Sequence, residues 1–139
     1  MKLTIHTDGG SLNNPGPSAC SYVISKEDRS IVEKKFFFLG NQTNNYAEYM
    51  GVKNALTALL QMKKHLHFTS LSFISDSLLM VSQLNGLYKV KNGAIRSFVF
   101  EIRSLEQQIG TPISYRHVLR ELNQEADALV KECLDSHHS

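Results

Sequence analysis

The segment TNNYAEYMGVKNAL, residues 43–56, is typical of the start of an amphipathic helix, but it carries a carboxylate in an unexpected place. Counting at helical spacing from Glu48 leads to the apolar stripe of that helix, Val52, Ala55, Leu59 and Met62. A glutamate in a first helical turn usually complements the helix dipole. The alternative is that Glu48 faces inward because it serves a polar site at the edge of the core.

The apolar pattern of the other segments predicts an α/β fold. Residues 2–7 alternate as a first strand, with Leu3 and Ile5 on one face, and a long turn is predicted over residues 8–18. Two further β-rich runs, the short strand LSFIS and a last strand PISYRHV complete the strands, and three helical segments follow the opening helix. The order β-β-β-α-β-α-α-β-α predicts a five-stranded mixed sheet flanked by helices.

Length and composition predict a single domain over residues 1–139, with a frayed polar tail at about 136–139. The net charge of +2 is too small to indicate a nucleic-acid ligand by itself. Cys20 and Cys133 lack metal-ligand spacing and predict free, buried thiols of a reducing compartment. The N-terminus is not a signal peptide and no apolar run is long enough to cross a bilayer, so we expect a cytoplasmic protein without a membrane partner.

Four acidic residues on separate elements are predicted to meet at one edge of the sheet. Asp8 follows the first strand and Asp76 the fourth, and ligand sites open at the carboxyl ends of adjacent parallel strands. Glu48 lies in the first turn of the opening helix. Asp127 lies in the first turn of the closing helix, for which Asn123 is the predicted N-cap. Each acid has an ordinary alternative as a turn former or dipole partner, but their coincidence favours a Mg²⁺ site, because clustered carboxylates repel.

Four blocks of the sequence together resemble type 1 ribonuclease H, and the likeness spans nearly the whole chain. The blocks are TDGGSLNNPGPS, TNNYAEYMGVKNAL, SDSLLMVSQLNGLYKVKN and RELNQEADALV. Four motifs in a fixed order are more specific than a lone short motif. The form YKVKN followed by HVLRELNQEAD is similar to the compact branch found in archaea, some bacteria and plant-like domains, without a long basic protrusion or an N-terminal hybrid-binding domain.

The resemblance implies a ribonuclease H-like fold and an endonuclease that cleaves the RNA strand of RNA–DNA hybrids and leaves 5′-phosphate and 3′-hydroxyl ends. We expect the protein to be a monomer. The catalytic and metal-binding acids of the family correspond to Asp8, Glu48, Asp76 and Asp127. Two ions per site, Mg²⁺ or Mn²⁺, would lie about 4 Å apart and bind the scissile phosphate between them. Asp8 would bridge both ions, with Asp76 and Glu48 on one side and Asp127 on the other.

Substrate contacts follow from the same resemblance. The residues that correspond to minor-groove contacts are Gly9, Gly10, Asn14, Asn44 and Asn45, with Thr43 at a DNA phosphate. Short polar groups at such positions sense the 2′-hydroxyl of RNA, and plain turn chemistry is the alternative for the asparagines. Lys89 and Lys91 are candidates for backbone contacts, although loop lysines are usually just solvated.

The chain departs from well-known bacterial members in the loop before the last acid. Those members carry a loop histidine, whereas here the loop is shortened to RELNQ and the pattern predicts His117 as a strand residue. Arg120 is therefore the candidate for contacting the phosphate or easing product release, with a solvated surface arginine as the alternative. Leu78 stands where many members have Gln, and Tyr46 stands where some bacterial members have Arg. Both differences predict weaker or altered binding of the substrate.

Two other functions remain as alternatives. One is a binding domain that kept the fold and lost activity, and the other is a different two-metal nuclease, such as an exonuclease or an integrase core. The four intact acids argue against the first, because a retired site would be free to lose them. The TNNYAEY block and the lack of flanking DNA-binding domains argue against the second.

Overall fold

The structure, a computed structural model, describes residues 1–138 and the side chains of residues 1–137, and is built around one five-stranded mixed sheet. Its strands are β1 (Lys2–Ser11), β2 (Gly16–Lys26), β3 (Ile31–Gln42), β4 (Ser70–Ser75) and β5 (Ile113–His117). Their order across the sheet is β3-β2-β1-β4-β5. The β1–β2 and β2–β3 pairs are antiparallel, whereas β1–β4 and β4–β5 are parallel. The predicted mixed sheet is confirmed.

Helices follow the strands in the predicted order. They are α1 (Asn44–Met62), α2 (Leu78–Leu84), α3 (Gly93–Ile109) and α4 (Gln124–His138), and a 3₁₀ turn over Arg120–Leu122 precedes α4. The side chains of Thr43, Ser77 and Asn92 each accept the backbone N–H three residues ahead and so cap α1, α2 and α3. None of the helices in the described residues is long and apolar enough to cross a bilayer.

Two cores lie on opposite faces of the sheet. The larger one contains residues of β1, β2 and β4 together with α1 and α3, and it buries the predicted stripe of Val52, Ala55, Leu59 and Met62. The smaller one lies under α4 and consists of Ala19, Val130, Cys133 and Leu134. Cys20 and Cys133 are both free and buried, so the predicted thiols are confirmed. α1 and α4 therefore approach the end of β1 from opposite faces of the sheet.

The first turn is shorter than the sequence predicts. β1 continues to Ser11 and β2 already begins at Gly16, because Gly9 and Gly10 pair with β2 instead of turning the chain. Asp8 consequently lies inside β1, opposite Ser21, and not at the end of the strand as predicted. The parallel pairing of β1 with β4 stops at His6, so Asp8 still projects past the end of β4.

The polar tail, predicted as frayed from about residue 136, is helical as far as the structure describes it. α4 continues to His138, and Ser139 lies outside the described residues. Near the end of the helix, the His137 ring stacks on the Phe38 ring with centroids 4.2 Å apart. The Ser136 hydroxyl donates to the carbonyl of Glu132 at 2.9 Å. The segment is polar, yet it contains no helix breaker and has an aromatic surface to pack on.

Asn123 precedes α4 as predicted, but its side chain does not cap the helix. Its carbonyl accepts the Asp127 N–H at 3.1 Å, which is the first hydrogen bond of α4. Its side-chain amide instead donates to the carbonyl of Thr7 in β1 at 2.9 Å. The side chain therefore ties the start of α4 to the centre of the sheet.

A direct backbone contact joins β1 to the first turn of α1. A Cβ atom added to Gly9 would lie 2.3 Å from the carbonyl carbon of Ala47 and 2.4 Å from the nitrogen of Glu48. On the helix side, a Cβ on Gly51 would lie 3.1 Å from the carbonyl oxygen of Asp8. Because no side chain separates the two elements here, Glu48 is brought close to Asp8.

Replacing Gly9 with alanine tests this contact. We expect Gly9→Ala to lower the free energy of unfolding by about 1–3 kcal/mol or more, because backbone atoms of α1 would have to move. Gly10→Ala is the matched control, since the nearest atom to an added Cβ is Val130 Cγ1 at an ordinary 3.7 Å. Chemical denaturation of both variants measures the effect, and equal stabilities would contradict the close approach.

Candidate active site

An open cavity of about 580 Å³ lies where β1, β4 and β5 meet the first turns of α1 and α4. All four of the predicted acids line it, Asp8, Glu48, Asp76 and Asp127. Each acid comes from a different part of the fold. Tertiary structure thus gathers them at the edge of the sheet that the sequence predicts.

The local structure around each acid explains its direction. Asp8 stands on β1 past the last parallel pair with β4, and Asp76 directly follows β4. The next residue, Ser77, caps α2 and donates its backbone N–H to the Ser75 hydroxyl at 3.1 Å, which fixes the bend at Asp76. Asp127 lies in the first turn of α4. Glu48 lies just past the first turn of α1 and not within it as predicted, because α1 already begins at Asn44.

Burial makes the two innermost acids difficult to ionise. It raises the pKa of Asp8, which is 8% exposed, to about 8, and the charges of Asp76, Asp127 and Glu48 add to this effect. Burial likewise raises the pKa of Glu48 to about 7, with Asp76 adding to the shift and Ser77 and Arg120 opposing it. At neutral pH, a pKa of about 8 leaves Asp8 mostly protonated and a pKa of about 7 leaves Glu48 partly protonated, and a bound cation would displace these protons.

Two basic side chains lie beside Asp76 and Asp127. Arg120 Nε is 3.7 Å from Asp76 Oδ2, and Lys131 Nζ is 2.9 Å from Asp127 Oδ2. Both basic side chains are mostly exposed, at 80% and 70%, and exposed ion pairs contribute only about 0–1 kcal/mol. They leave the charge of Asp8 largely uncompensated. Sequence reasoning missed Lys131, although its spacing of four residues from Asp127 could have revealed the pair.

The acid cluster offers an all-oxygen donor set. Such oxygen ligands suit Mg²⁺, and a divalent cation would relieve the repulsion that raises the pKa of Asp8. Within residues 1–137, no three acid, histidine or cysteine side chains stand close enough together to hold a metal ion as they are. The cavity therefore fits a cation by chemistry and charge, and its carboxylates would have to turn inward on binding.

Of the predicted substrate contacts, Gly9, Gly10 and Asn44 line the same cavity. Asn14 is tied to them, because its side-chain oxygen accepts the Asn44 N–H at 2.9 Å, while the Asn44 side-chain oxygen accepts the Ser11 N–H at 2.8 Å. These bonds join the β1–β2 turn to the start of α1 in one surface.

Thr43 and Asn45 lie beside this surface, outside the cavity lining. The Thr43 hydroxyl accepts the Tyr46 N–H at 3.1 Å and so already serves as the cap of α1. The Tyr46 ring packs edge-on against Phe98, with centroids 5.0 Å apart, where the resemblance leads one to look for an arginine. Tyr46 therefore packs at the boundary of the larger core.

The remaining residues named from the sequence divide between the cavity and the surface. His117 is the last residue of β5, so the strand prediction is confirmed, yet it lines the cavity together with Arg120. The alternation pattern could not reveal this second property. Leu78, Lys89 and Lys91 are exposed and lie outside the cavity lining.

Comparison with known proteins identifies the family. Residues 6–133 match the family model described as "Reverse transcriptase-like". A ribonuclease HI of Halobacterium salinarum is 36% identical over 135 residues, which cover 96% of this chain and 65% of that protein. A bifunctional protein of Mycobacterium tuberculosis is 34% identical over 137 residues, or 98% of this chain and 36% of that protein. The chain belongs to the type 1 ribonuclease H family.

Solved structures of ribonucleases H show the same fold over the full length of this chain. LC11-RNase H1 in complex with an RNA/DNA hybrid matches with a TM-score of 0.93 and 32% identity, covering 99% of both chains. RNase H1 from Halobacterium salinarum matches with a TM-score of 0.89 at 32% identity, covering 98% of this chain and 99% of that one. The predicted ribonuclease H-like fold is confirmed. The chain nevertheless spans only part of the length of the two sequence relatives.

The raised pKa of Asp8 predicts how the metal-free protein responds to pH. Unfolded aspartate has a pKa of about 3.9, so the folded state holds the extra proton between there and about 8 and stability falls as the pH rises through this range. Asp8→Asn cannot ionise. We expect its advantage in melting temperature over the wild type, measured with EDTA, to grow from about pH 5 to about pH 9.

Asp135→Asn is the control for this measurement, because Asp135 is an exposed acid on α4 outside the cavity lining. Its melting temperature should follow that of the wild type at each pH. A constant difference between Asp8→Asn and the wild type would show that Asp8 ionises normally in the folded protein.

Proposed function

We propose that this protein is an endonuclease that cleaves the RNA strand of RNA–DNA hybrids and leaves 5′-phosphate and 3′-hydroxyl ends. The observation that carries the proposal is one cavity lined by Asp8, Glu48, Asp76 and Asp127 in a ribonuclease H fold. The names of the relatives support it: one is a ribonuclease HI, and LC11-RNase H1 was solved with an RNA/DNA hybrid.

The catalytic acids would work with divalent cations, Mg²⁺ or alternatively Mn²⁺, two per site. Ribonucleases H as a family are metal-dependent. When bound, such cations supply the positive charge that activates a water molecule and stabilises the leaving oxygen. The charge of each of the other three acids raises the pKa of Asp8, which supports a central role for it. Asp76 and Glu48 would lie on one side of Asp8 and Asp127 on the other.

Substrate recognition would use the surface formed by Gly9, Gly10, Asn14 and Asn44. The side-chain oxygens of both asparagines already accept backbone N–H groups, and within residues 1–137 neither amide nitrogen donates to another protein group. Those nitrogens can therefore donate to acceptors in a minor groove, including the 2′-hydroxyl of RNA. Asn45 would extend this contact.

Thr43 would meet a phosphate of the DNA strand. It is exposed and stands at the amino end of α1, where unpaired N–H groups and the helix dipole favour an anion. Gly9 and Gly10 line the same cavity and would contact the hybrid through their backbone groups. This arrangement supports a hybrid lying across the β1–β2 turn and the start of α1.

We further infer that residues 1–139 form one domain, and that the protein acts as a monomer in the cytoplasm. All five strands form one sheet, α1 and α4 pack directly on it, and α3 packs on α1, which supports the single domain. Two free buried thiols suit a reducing compartment. Gel filtration of the purified chain tests the monomer.

The central test replaces Asp8. Asp8→Asn should abolish cleavage of a labelled RNA–DNA hybrid with Mg²⁺, while the affinity for the hybrid stays near that of the wild type. The reason is that the amide keeps the shape of the side chain and removes its charge. Asp135→Asn, which alters an exposed acid on α4, should cleave normally. Wild-type turnover by Asp8→Asn would refute the assignment.

The wild type should be compared on four substrates: the hybrid, single-stranded RNA, double-stranded RNA and double-stranded DNA. Internal cuts confined to the hybrid are expected. A hybrid left uncut at every metal concentration would point to a retired binding domain, and cleavage of DNA would point to a different two-metal nuclease.

Arg120 would contact a phosphate of the substrate or ease product release. Its exposed side chain reaches over the cavity toward Asp76. Arg120→Ala should lower kcat by roughly 10- to 100-fold, the equivalent of one charge-assisted hydrogen bond, and Arg120→Lys should retain part of the rate. Arg96→Ala, at an exposed position on α3, is the control. Unchanged kcat and salt dependence in Arg120→Ala would mean that Arg120 is merely solvated.

A further inference from the structure

Two buried hydrogen bonds tie the first turn of α4 to the strands below the acids. The Asn123 amide, on a residue that is 1% exposed, donates to the carbonyl of Thr7 at 2.9 Å. The hydroxyl of the fully buried Ser21 donates to the carbonyl of Ala126 at 2.6 Å. Each bond therefore reaches the residue next to an acid, since Thr7 precedes Asp8 and Ala126 precedes Asp127.

The two bonds form a short connection between Asp8 and Asp127. Ser21 is paired with Asp8 across β1 and β2, so its hydroxyl spans from the partner strand to the helix. Asn123 holds Asp127 through its own carbonyl and holds β1 through its side chain. Both contacts join segments more than a hundred residues apart in sequence, at 116 and 105 residues.

Packing alone does not account for Asn123. A side chain that directly precedes a helix usually caps it, and this one does not. Its side-chain oxygen is buried and finds no donor within residues 1–137. An unpaired buried acceptor is unfavourable. The Asn123 side chain therefore links the start of α4 to β1 instead of capping the helix.

Asp127 needs such a link more than the other acids do. Asp8 and Asp76 are held by the strand pairing of β1 and β4, and Glu48 is held by the backbone contact at Gly9. Asp127 alone comes from a helix on the other face of the sheet, after the loop and the 3₁₀ turn that follow β5. Its place in the cavity depends on how the start of α4 is fixed.

We propose that Asn123 and Ser21 are positioning residues that fix Asp127 relative to Asp8 and thereby set the affinity of this side of the cavity for a divalent cation. The inference rests on the proposed function, in which these two acids bind the cations. Groups that orient metal ligands typically contribute about 10- to 100-fold in metal affinity or activity. The hybrid-binding surface on the β1–β2 turn and α1 does not involve either residue.

The test is calorimetric titration of the full chain with Mg²⁺ in the absence of nucleic acid. Ser21→Ala and Asn123→Ala should each weaken binding about 10-fold. Ser136→Ala is the matched control, because Ser136 makes the same kind of hydroxyl-to-carbonyl bond on the exposed side of α4. Its affinity should equal that of the wild type.

A thermodynamic cycle decides whether the effect passes through Asp127. In an Asp127→Asn background, Ser21→Ala should cause no further loss of Mg²⁺ affinity. On the hybrid, Ser21→Ala should lower kcat and leave KM unchanged. An affinity within twofold of the wild type in Ser21→Ala, or an equal loss in the Asp127→Asn background, would overturn the inference. Should Asn123→Ala fail to fold by circular dichroism, Ser21→Ala alone decides.

A metal-free measurement separates this inference from the proposed function. Hydrogen exchange of the Asp127 amide, followed by NMR, should be about 10-fold faster in Ser21→Ala than in the wild type or Ser136→Ala. If the wild type binds no Mg²⁺ at all, the proposed function fails, while the exchange rates still decide the positioning role. Equal exchange rates in all three proteins would refute that role.

Discussion

The direct backbone contact between Gly9 in β1 and the first turn of α1 is the constraint on which the cavity depends. A Cβ at Gly9 would lie 2.3 Å from Ala47, so only glycine lets the helix come this close. The contact places Glu48 beside Asp8 and seats the apolar stripe of α1 in the larger core. Because protein interiors are close-packed, a shift here would move both the core and the acids.

The clustered acids lower the stability of the folded protein, and contacts elsewhere in the structure offset this loss. A nearly buried Asp8 surrounded by three other carboxylates is unfavourable without a bound cation, as its raised pKa indicates. Strained or repulsive groups of this kind are common where proteins act, and they lower stability there. The two cores and the buried bonds from Asn123 and Ser21 hold the elements together against this repulsion.

Local patterns predicted well, and the errors have physical causes. The order of elements and the stripe of α1 followed from hydrophobic periodicity, which depends on residues a few positions apart. The turn after Asp8 was predicted too long because glycines favour turns, whereas Gly9 serves a close approach to α1. Asn123 was expected to cap α4, but its partner is Thr7, which no local pattern could indicate.

The sequence by itself predicted which four acids share one cavity and on which elements they lie, because strand alternation, helix spacing and caps depend on near neighbours. Only the tertiary structure decided how deeply Asp8 and Glu48 are buried, that His117 and Lys131 lie at the same site, and how Asp127 is fixed. Those properties depend on contacts between distant segments. The bonds that hold the start of α4 join residues 116 and 105 positions apart, and only folding brings such groups within reach.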